Sequence, residues 1–251
     1  LVAFLSGDGE RKPDGKANAD LGNFGALLAA QGVRTLELTF TAGMHVPENV
    51  DVLVLASPQV ALASPVVAEL DDYLARGGNF LWLAEPGAAM GLDPLAKALS
   101  LRLLDGTVVD GAGAAFGIGD PSFVAISKYS SDPITRDFTL TTLFPQAVAL
   151  GVVSGTDWNV QSLLRTSAKS WTRIGPIPQQ GDASTIAYDA GKGEIPGPLD
   201  IGVALSRLSP SPAKSEQRVV AIGDGDFLSN AFLGNGGNRE FGQRVFDWLL
   251  Q

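Results

Sequence analysis

The residues with the most chemistry to offer stand near the end of the chain, in "QRVVAIGDGDFLSNAFLGNGGN", Gln217 to Asn238. An apolar run, Val219 to Ile222, ends in Gly223-Asp224-Gly225-Asp226, and Ser229, Asn230, Asn235 and Asn238 follow. Carboxylate and amide oxygens this dense are hard ligands suited to calcium or magnesium. They are also the short acceptors that tight turns use for their own backbone amides. The Asp-x-Asp-x-Asp-Gly order of a calcium loop and its closing glutamate are missing, so the expectation is no metal and an architectural corner. On that reading Gly223 and Gly225 supply unusual backbone angles, Asp224 and Asp226 accept turn amides, and Asn230, Asn235 and Asn238 carry the network to the final helix.

Other chemistries fail on spacing. A Gly-x-Gly after a strand suggests a dinucleotide turn, but position 228 is Leu where the third glycine belongs, and Gly111-x-Gly113 fails likewise at Phe116. No Gly-Lys-Ser/Thr of a phosphate loop occurs, and no cofactor is expected. The one histidine, His45, sits in a loop pattern with no Gly-x-Ser-x-Gly elbow to serve. Ser211 and Lys214 have the Ser-x-x-Lys spacing but lie among prolines with no helical pattern after them. No catalytic residue is assigned.

The positioning elements follow from periodicity. Leu1 to Leu5, Val33 to Phe40, Val50 to Pro58, Asn79 to Gly87 and Val219 to Ile222 read as strands. Asp20 is placed to cap a helix with Leu21, Phe24, Leu27 and Leu28 inward. Ser64-Pro65 opens a second helix with Val66, Leu70, Tyr73 and Leu74 inward. Pro94 to Leu99 reads as a short helix. Asn238 is placed to cap a last one carrying Phe241, Val245, Trp248 and Leu249. This alternation predicts a mainly parallel α/β sheet with helices on both faces. Residues 101–207 show short strands, "TVVD", "SFVAIS", "QAVALGVV", "SLLRTS" and "LDIGVALSR", between the glycine-rich loops "GAGAAFGIGDP" and "GPIPQQGD". They read either as extra strands on the same sheet or as a β-rich insertion. The whole, 1–251, is expected to be one domain, with its core in 1–100 and 199–251 and the extension in 101–198.

In such sheets ligands gather at the carboxyl ends of the strands. Those ends would bring Asp8, Glu10, Arg11, Glu85, Asp224, Asp226 and Asn230 to one rim, which either binds a polar ligand or satisfies itself.

Composition narrows the function. A chain of 251 residues, 45% hydrophobic and 18% charged, buries a sizeable core. Its net charge of -9 argues against nucleic-acid binding. The absence of cysteine excludes disulfides, zinc–thiolate sites and thiol nucleophiles. Opening on a core strand at Leu1 is what a segment excised from a longer protein would do.

Five stretches together resemble one family: "FLSGDGER" with "NADLGNFGALLAAQGV", "LVLASPQVALASPVVAELDDYLARGGNFLWLAEPG", "DPITRDF" with "TLFPQAVAL", "TSAKSWT", and the closing motif. They occur in the same order in the auxiliary, gliding-motility-type component of bacterial ABC transporters. The resemblance spans nearly the whole chain. It implies a flavodoxin-like domain related to class I glutamine amidotransferases, held on the extracytoplasmic (periplasmic) face of the inner membrane by flanking helices. It also implies an ABC permease and ATPase as partners, with a small polar ligand or sugar as a conjectured one. No catalytic residue carries over: where the amidotransferase fold places its cysteine, this chain has Ala56-Ser57-Pro58. At "SSDPIT" it has Asp132 where relatives often carry histidine. The expected function is non-enzymatic support of transport by binding a ligand or partner; the alternative is a carboxylate-based hydrolase or transferase acting on glycans.

Overall fold

The computed structural model describes residues 1–41, 43–87, 90–177 and 186–251. In chain order the first half contains β1 (Val2–Leu5), α1 (Gly22–Ala30), β2 (Thr35–Leu38), β3 (Val52–Ala56), α2 (Ser64–Ala75), β4 (Asn79–Leu83) and α3 (Asp93–Ala98). Seven strands follow: β5 (Leu101–Leu103), β6 (Thr107–Asp110), β7 (Phe123–Ile126), β8 (Thr142–Pro145), β9 (Leu150–Val152), β10 (Asn159–Arg165) and β11 (Ser170–Arg173). The chain closes with β12 (Asp200–Leu208), β13 (Glu216–Ile222) and α4 (Asn238–Leu249).

The strands that read as continuous apolar runs are the ones covered on both faces. β1, β3 and β4 are buried at every position. They pair in parallel, with β2 beyond β1 and β13 beyond β4. Two antiparallel strands then extend the sheet, giving the order β10-β12-β13-β4-β3-β1-β2. Alternate side chains go to opposite layers. Val2, Phe4, Val54 and Leu81 meet α1 and α4, where Phe24 and Phe246 pack at 5.4 Å between ring centroids. Ala3, Leu5, Leu53, Phe80 and Trp82 meet α2 and α3.

The strands of the middle segment divide between the main sheet and separate ribbons. β10 and β12 join the main sheet, while β5–β9, β6–β11 and β7–β8 form two-stranded ribbons. β5, β8 and β11 escape the sequence reading, because three or four residues, ending in proline or set between short loops, carry little periodicity. Part of the "GPIPQQGD" loop, 178–182, lies outside the described residues.

Two expected caps are corrected. Asp20 does not cap α1; its carboxylate turns back to accept from the Lys12 and Ala17 amides at 3.2 and 3.1 Å. The α1 amide at Asn23 is met instead by Asn230 Oδ1 at 2.8 Å, from 207 residues away. Asn238 is the first residue of α4, not its cap, and is fully buried. Its side chain accepts from the Leu143 amide at 2.8 Å and donates to the Leu143 and Phe232 carbonyls. In α2 it is Val67 rather than Val66 that is buried, along with Glu69.

Both chain ends lie at the amino ends of the parallel strands. The Leu1 carbonyl accepts from the Asp51 amide at 2.9 Å just before β3, and Asn79 at the start of β4 donates to the Leu249 carbonyl at 2.8 Å.

Candidate functional site: the carboxyl rim of the sheet

β1, β3, β4 and β13 end side by side, and each hands a polar residue to one rim. Arg11 comes from the loop after β1, where its backbone amide donates to the Ala56 carbonyl at 2.9 Å. The adjacent ends of β3, β4 and β13 supply Ser57, Glu85 and Asp224.

Arg11 is the hub. Its side chain is 9% exposed. Nε donates to Ser57 Oγ at 3.0 Å and Nη1 to the Ala19 carbonyl at 2.7 Å. Nη2 lies 2.8 Å from Glu85 Oε1 and 2.9 Å from Asp226 Oδ1. Glu85 Oε1 also accepts from Ser57 Oγ at 2.7 Å and from the Gly225 amide at 3.1 Å. Asp224 is fully buried, and its two oxygens accept from the Asp226 and Phe227 amides at 2.9 and 3.0 Å.

Burial pushes the Asp224 carboxyl well above its ordinary range, and the Glu85 and Asp226 charges add to this. Burial also raises Glu85, outweighing the Arg11 guanidinium that pulls it down. Burial by itself would lower Arg11, but the Glu85, Asp226 and Asp224 charges more than reverse that. Carboxylate oxygens of Glu85, Asp224 and Asp226 come within 4.8 Å of one another, close enough to hold a cation. The Arg11 guanidinium already occupies that role between Glu85 and Asp226.

The glycines of the corner are needed for space, which corrects the expectation of unusual angles. Gly225 has φ −100°. A Cβ there would sit 2.1 Å from Ser57 Oγ, and one on Gly223 would sit 1.9 Å from the Val148 carbonyl oxygen. Ser57 is left-handed, with φ 53° and full burial, at the end of β3, the middle one of the five parallel strands. Strain of that kind gathers at functional sites.

Of the seven rim candidates, Arg11, Glu85, Asp224 and Asp226 come together. Asp226 pairs with Arg11 instead of capping turn amides. Asp8 and Glu10 share the loop before Arg11, where Glu10 Oε2 accepts from the Asp8 amide at 2.8 Å. Glu10 is buried, which raises its carboxyl, and its Oε1 has no partner among the described residues. Asn230 is elsewhere: besides the Asn23 amide, it binds the Gly15 and Ala17 carbonyls at 3.0 and 2.7 Å.

An open cleft of 510 Å³ lies beside the hub, bordered by Arg11, Gln59 and Glu85 and by Thr107, Gln146 and Arg173. The last three were missed in the sequence. Thr107 and Arg173 stand on β6 and β11, and Gln146 directly follows β8; no local pattern encodes the placement of these ribbons over the rim. His45 is a loop residue as expected. Its unforeseen partner is buried Glu69, with Nδ1 2.7 Å from Oε2. With Asp72 these side chains could hold a metal, but Arg76 already pairs with Glu69 and Asp72 at 3.0 and 2.7 Å. Asp132 accepts from the Ile134 amide at 2.8 Å and closes its own turn, and burial raises its carboxyl.

Comparison with known proteins bears on this geometry. A family model described as "ABC-type uncharacterized transport system" matches residues 1–248. No curated protein matches. The mmIFT52 N-terminal domain is similar in fold, with TM-score 0.72 and 15% identity, over 100% of this chain and 98% of that one. A cytoplasmic protein of Salmonella typhimurium, STM3548, has TM-score 0.52 and 12% identity, over 98% of each chain. The exo-β-1,4-mannosidase Op5Man5 of Opitutaceae bacterium strain TAV5 has TM-score 0.51 and 11% identity, over 99% of this chain but only 35% of the mannosidase. At these identities the three likenesses are of fold alone.

Proposed function

This chain belongs to the ABC-type uncharacterized transport system family, and on that premise we propose that it is a non-enzymatic auxiliary domain that binds a ligand or partner protein in support of transport. The observation that carries this reading is the closure of the rim by Arg11, which ties Glu85 and Asp226 together beside a fully buried Asp224. A glycan hydrolase needs two carboxyl groups facing each other across an open, substrate-sized gap. Here Asp224 is out of reach of any substrate, and its oxygens serve backbone amides.

The partners on this reading are an ABC permease and ATPase. The domain sits on the extracytoplasmic face of a bacterial inner membrane, anchored by helices outside this sequence. Among the described residues no helix is long and apolar enough to cross a membrane. The parallel order β2-β1-β3-β4-β13 supports a flavodoxin-like core. The left-handed Ser57 after the central strand supports kinship with the amidotransferase fold, with serine where that fold has its cysteine.

Co-purification of the full-length protein from membranes tests the proposal. The permease and ATPase should come with it, and the purified protein should show no glutaminase, esterase or glycosidase turnover. Robust turnover lost on replacing Ser57 or Glu85 would overturn the non-enzymatic reading.

A further inference from the structure

Around the 510 Å³ cleft the donors are spent and the acceptors are not. Arg11 donates to Ser57, Ala19 and Glu85 and pairs with Asp226. Arg173 donates through Nη1 to Glu194 Oε1 at 3.3 Å and through Nε to the Pro176 carbonyl at 3.4 Å. The Gln59 side chain donates to the Ser57 carbonyl at 2.9 Å. Against these, Glu85 takes all its donors on one oxygen. Oε1 receives Arg11 Nη2, Ser57 Oγ and the Gly225 amide, while Oε2 receives no donor among the described residues. The Glu85 side chain is 24% exposed and borders the cleft, and Oε2 retains contact with solvent. Gln59 Oε1 and the Thr107 hydroxyl border the same cleft and likewise receive no donor among the described residues.

We propose that the cleft binds a protonated amine, its ammonium group seated on Glu85 Oε2. The unspent acceptors ask for a ligand that donates, and charge selects which donor. Arg11 faces two carboxylates, Glu85 and Asp226, so the hub is net negative even with Asp224 counted as neutral. Hydrogen bonds between ionised partners are roughly twice as strong as neutral ones, which favours an ammonium over a hydroxyl. An anion is disfavoured, because both guanidinium groups at the cleft already pair with carboxylates. A metal ion is disfavoured too. It needs several oxygens at once, but those of Asp224 serve backbone amides and Asp226 is held by Arg11. The three donors on Oε1 fix the carboxylate before a ligand arrives, so little side-chain freedom is lost on binding. Pro58, Pro86 and Met90 give the cleft an apolar border for the carbon body of the amine. This inference rests on reading the domain as a binding module.

The Gly225 amide donates to the same carboxylate, so its signal in ¹⁵N-labelled protein reports occupancy. The probe is n-butylammonium. Its counterparts are n-butanol, a donor without the charge, and butyltrimethylammonium, the charge without a donor. At constant ionic strength the Gly225, Gln59 and Thr107 amide signals should shift saturably with n-butylammonium, and several-fold less with either counterpart. Glu85→Gln keeps the shape and removes the charge. It should weaken binding about tenfold or more, as the loss of a hydrogen bond between charged groups does. Thr107→Trp, on β6 and outside the hub, should crowd the cleft and weaken binding several-fold; it decides the matter if Glu85→Gln loses its dispersed spectrum. The absence of a saturable shift, an equal response to either counterpart, unchanged affinity in a folded variant, or shifts scattered over carboxylates across the surface would each overturn the proposal. If that happened while the permease and ATPase still co-purified, the ligand class would fall and the auxiliary role would stand. Amine binding by a protein that brings neither with it would spare the ligand class and remove the auxiliary role.

Discussion

Asp224 accepts both amide hydrogens of the turn it begins, at 2.9 and 3.0 Å, with none of its surface in water. Asp224→Ala therefore strands two buried donors, each costing roughly 1–3 kcal/mol. Asp224→Asn keeps an acceptor and should cost less. Thermal melts of the two variants check this; an Asn variant as unstable as the Ala variant would show that geometry, not acceptance, is what counts. The same residue sets a pH dependence. Its folded carboxyl lies above the unfolded range near 3.9. The stability linked to its proton is therefore full below that range and is lost as pH rises through the folded value. Glu85 and Glu10 are raised as well and add slopes of the same sign. Melting temperature against pH should fall less steeply above the unfolded carboxylate range in Asp224→Asn than in the parent. An unchanged slope would mean that Asp224 is ionised in the fold.

At the scale of elements, the corner after β13 is a fitted part. Gly225→Ala pushes a methyl into Ser57 Oγ, which Arg11 and Glu85 hold in place. It should cost about 1–3 kcal/mol, as overpacking does. Gly234→Ala, eight residues beyond Asp226, meets nothing within 4 Å and should be near neutral. Equal melting temperatures for the two variants would contradict the close-approach account. Asn230→Ala should cost about 1 kcal/mol as a lost helix cap. Hydrogen exchange should quicken first at the start of α1, although the mutation lies near the other end of the chain. What was legible in the sequence divides along the same line. Strands whose burial makes them apolar throughout, and helices with an inner stripe such as that of α4, announce themselves locally. The cap of α1 by Asn230 and the cover of the rim by Thr107 and Arg173 are long-range agreements, and a short ribbon carries no mark of what it will lie against. Arg11, Glu85, Asp224 and Asp226 were found because each follows the end of a strand that could be read. Asn230 was misplaced because its partners lie in a loop without a pattern.

For the whole molecule, the proposed location is the claim most open to test. A reporter fused beside this segment in the intact protein should read the extracytoplasmic side, and a cytoplasmic signal would remove that part of the proposal. The arrangement of the ends gives this location a direction. Leu1 and Leu249 are fastened at the amino ends of the parallel strands, while the Arg11 hub and its cleft stand at the carboxyl ends. A five-residue strand is about 17 Å long. A grip on the two ends would thus hold the domain by a stalk, with the cleft turned outward like the head of a probe. Either end can be tied to a bead, a bilayer or another protein without shading that face.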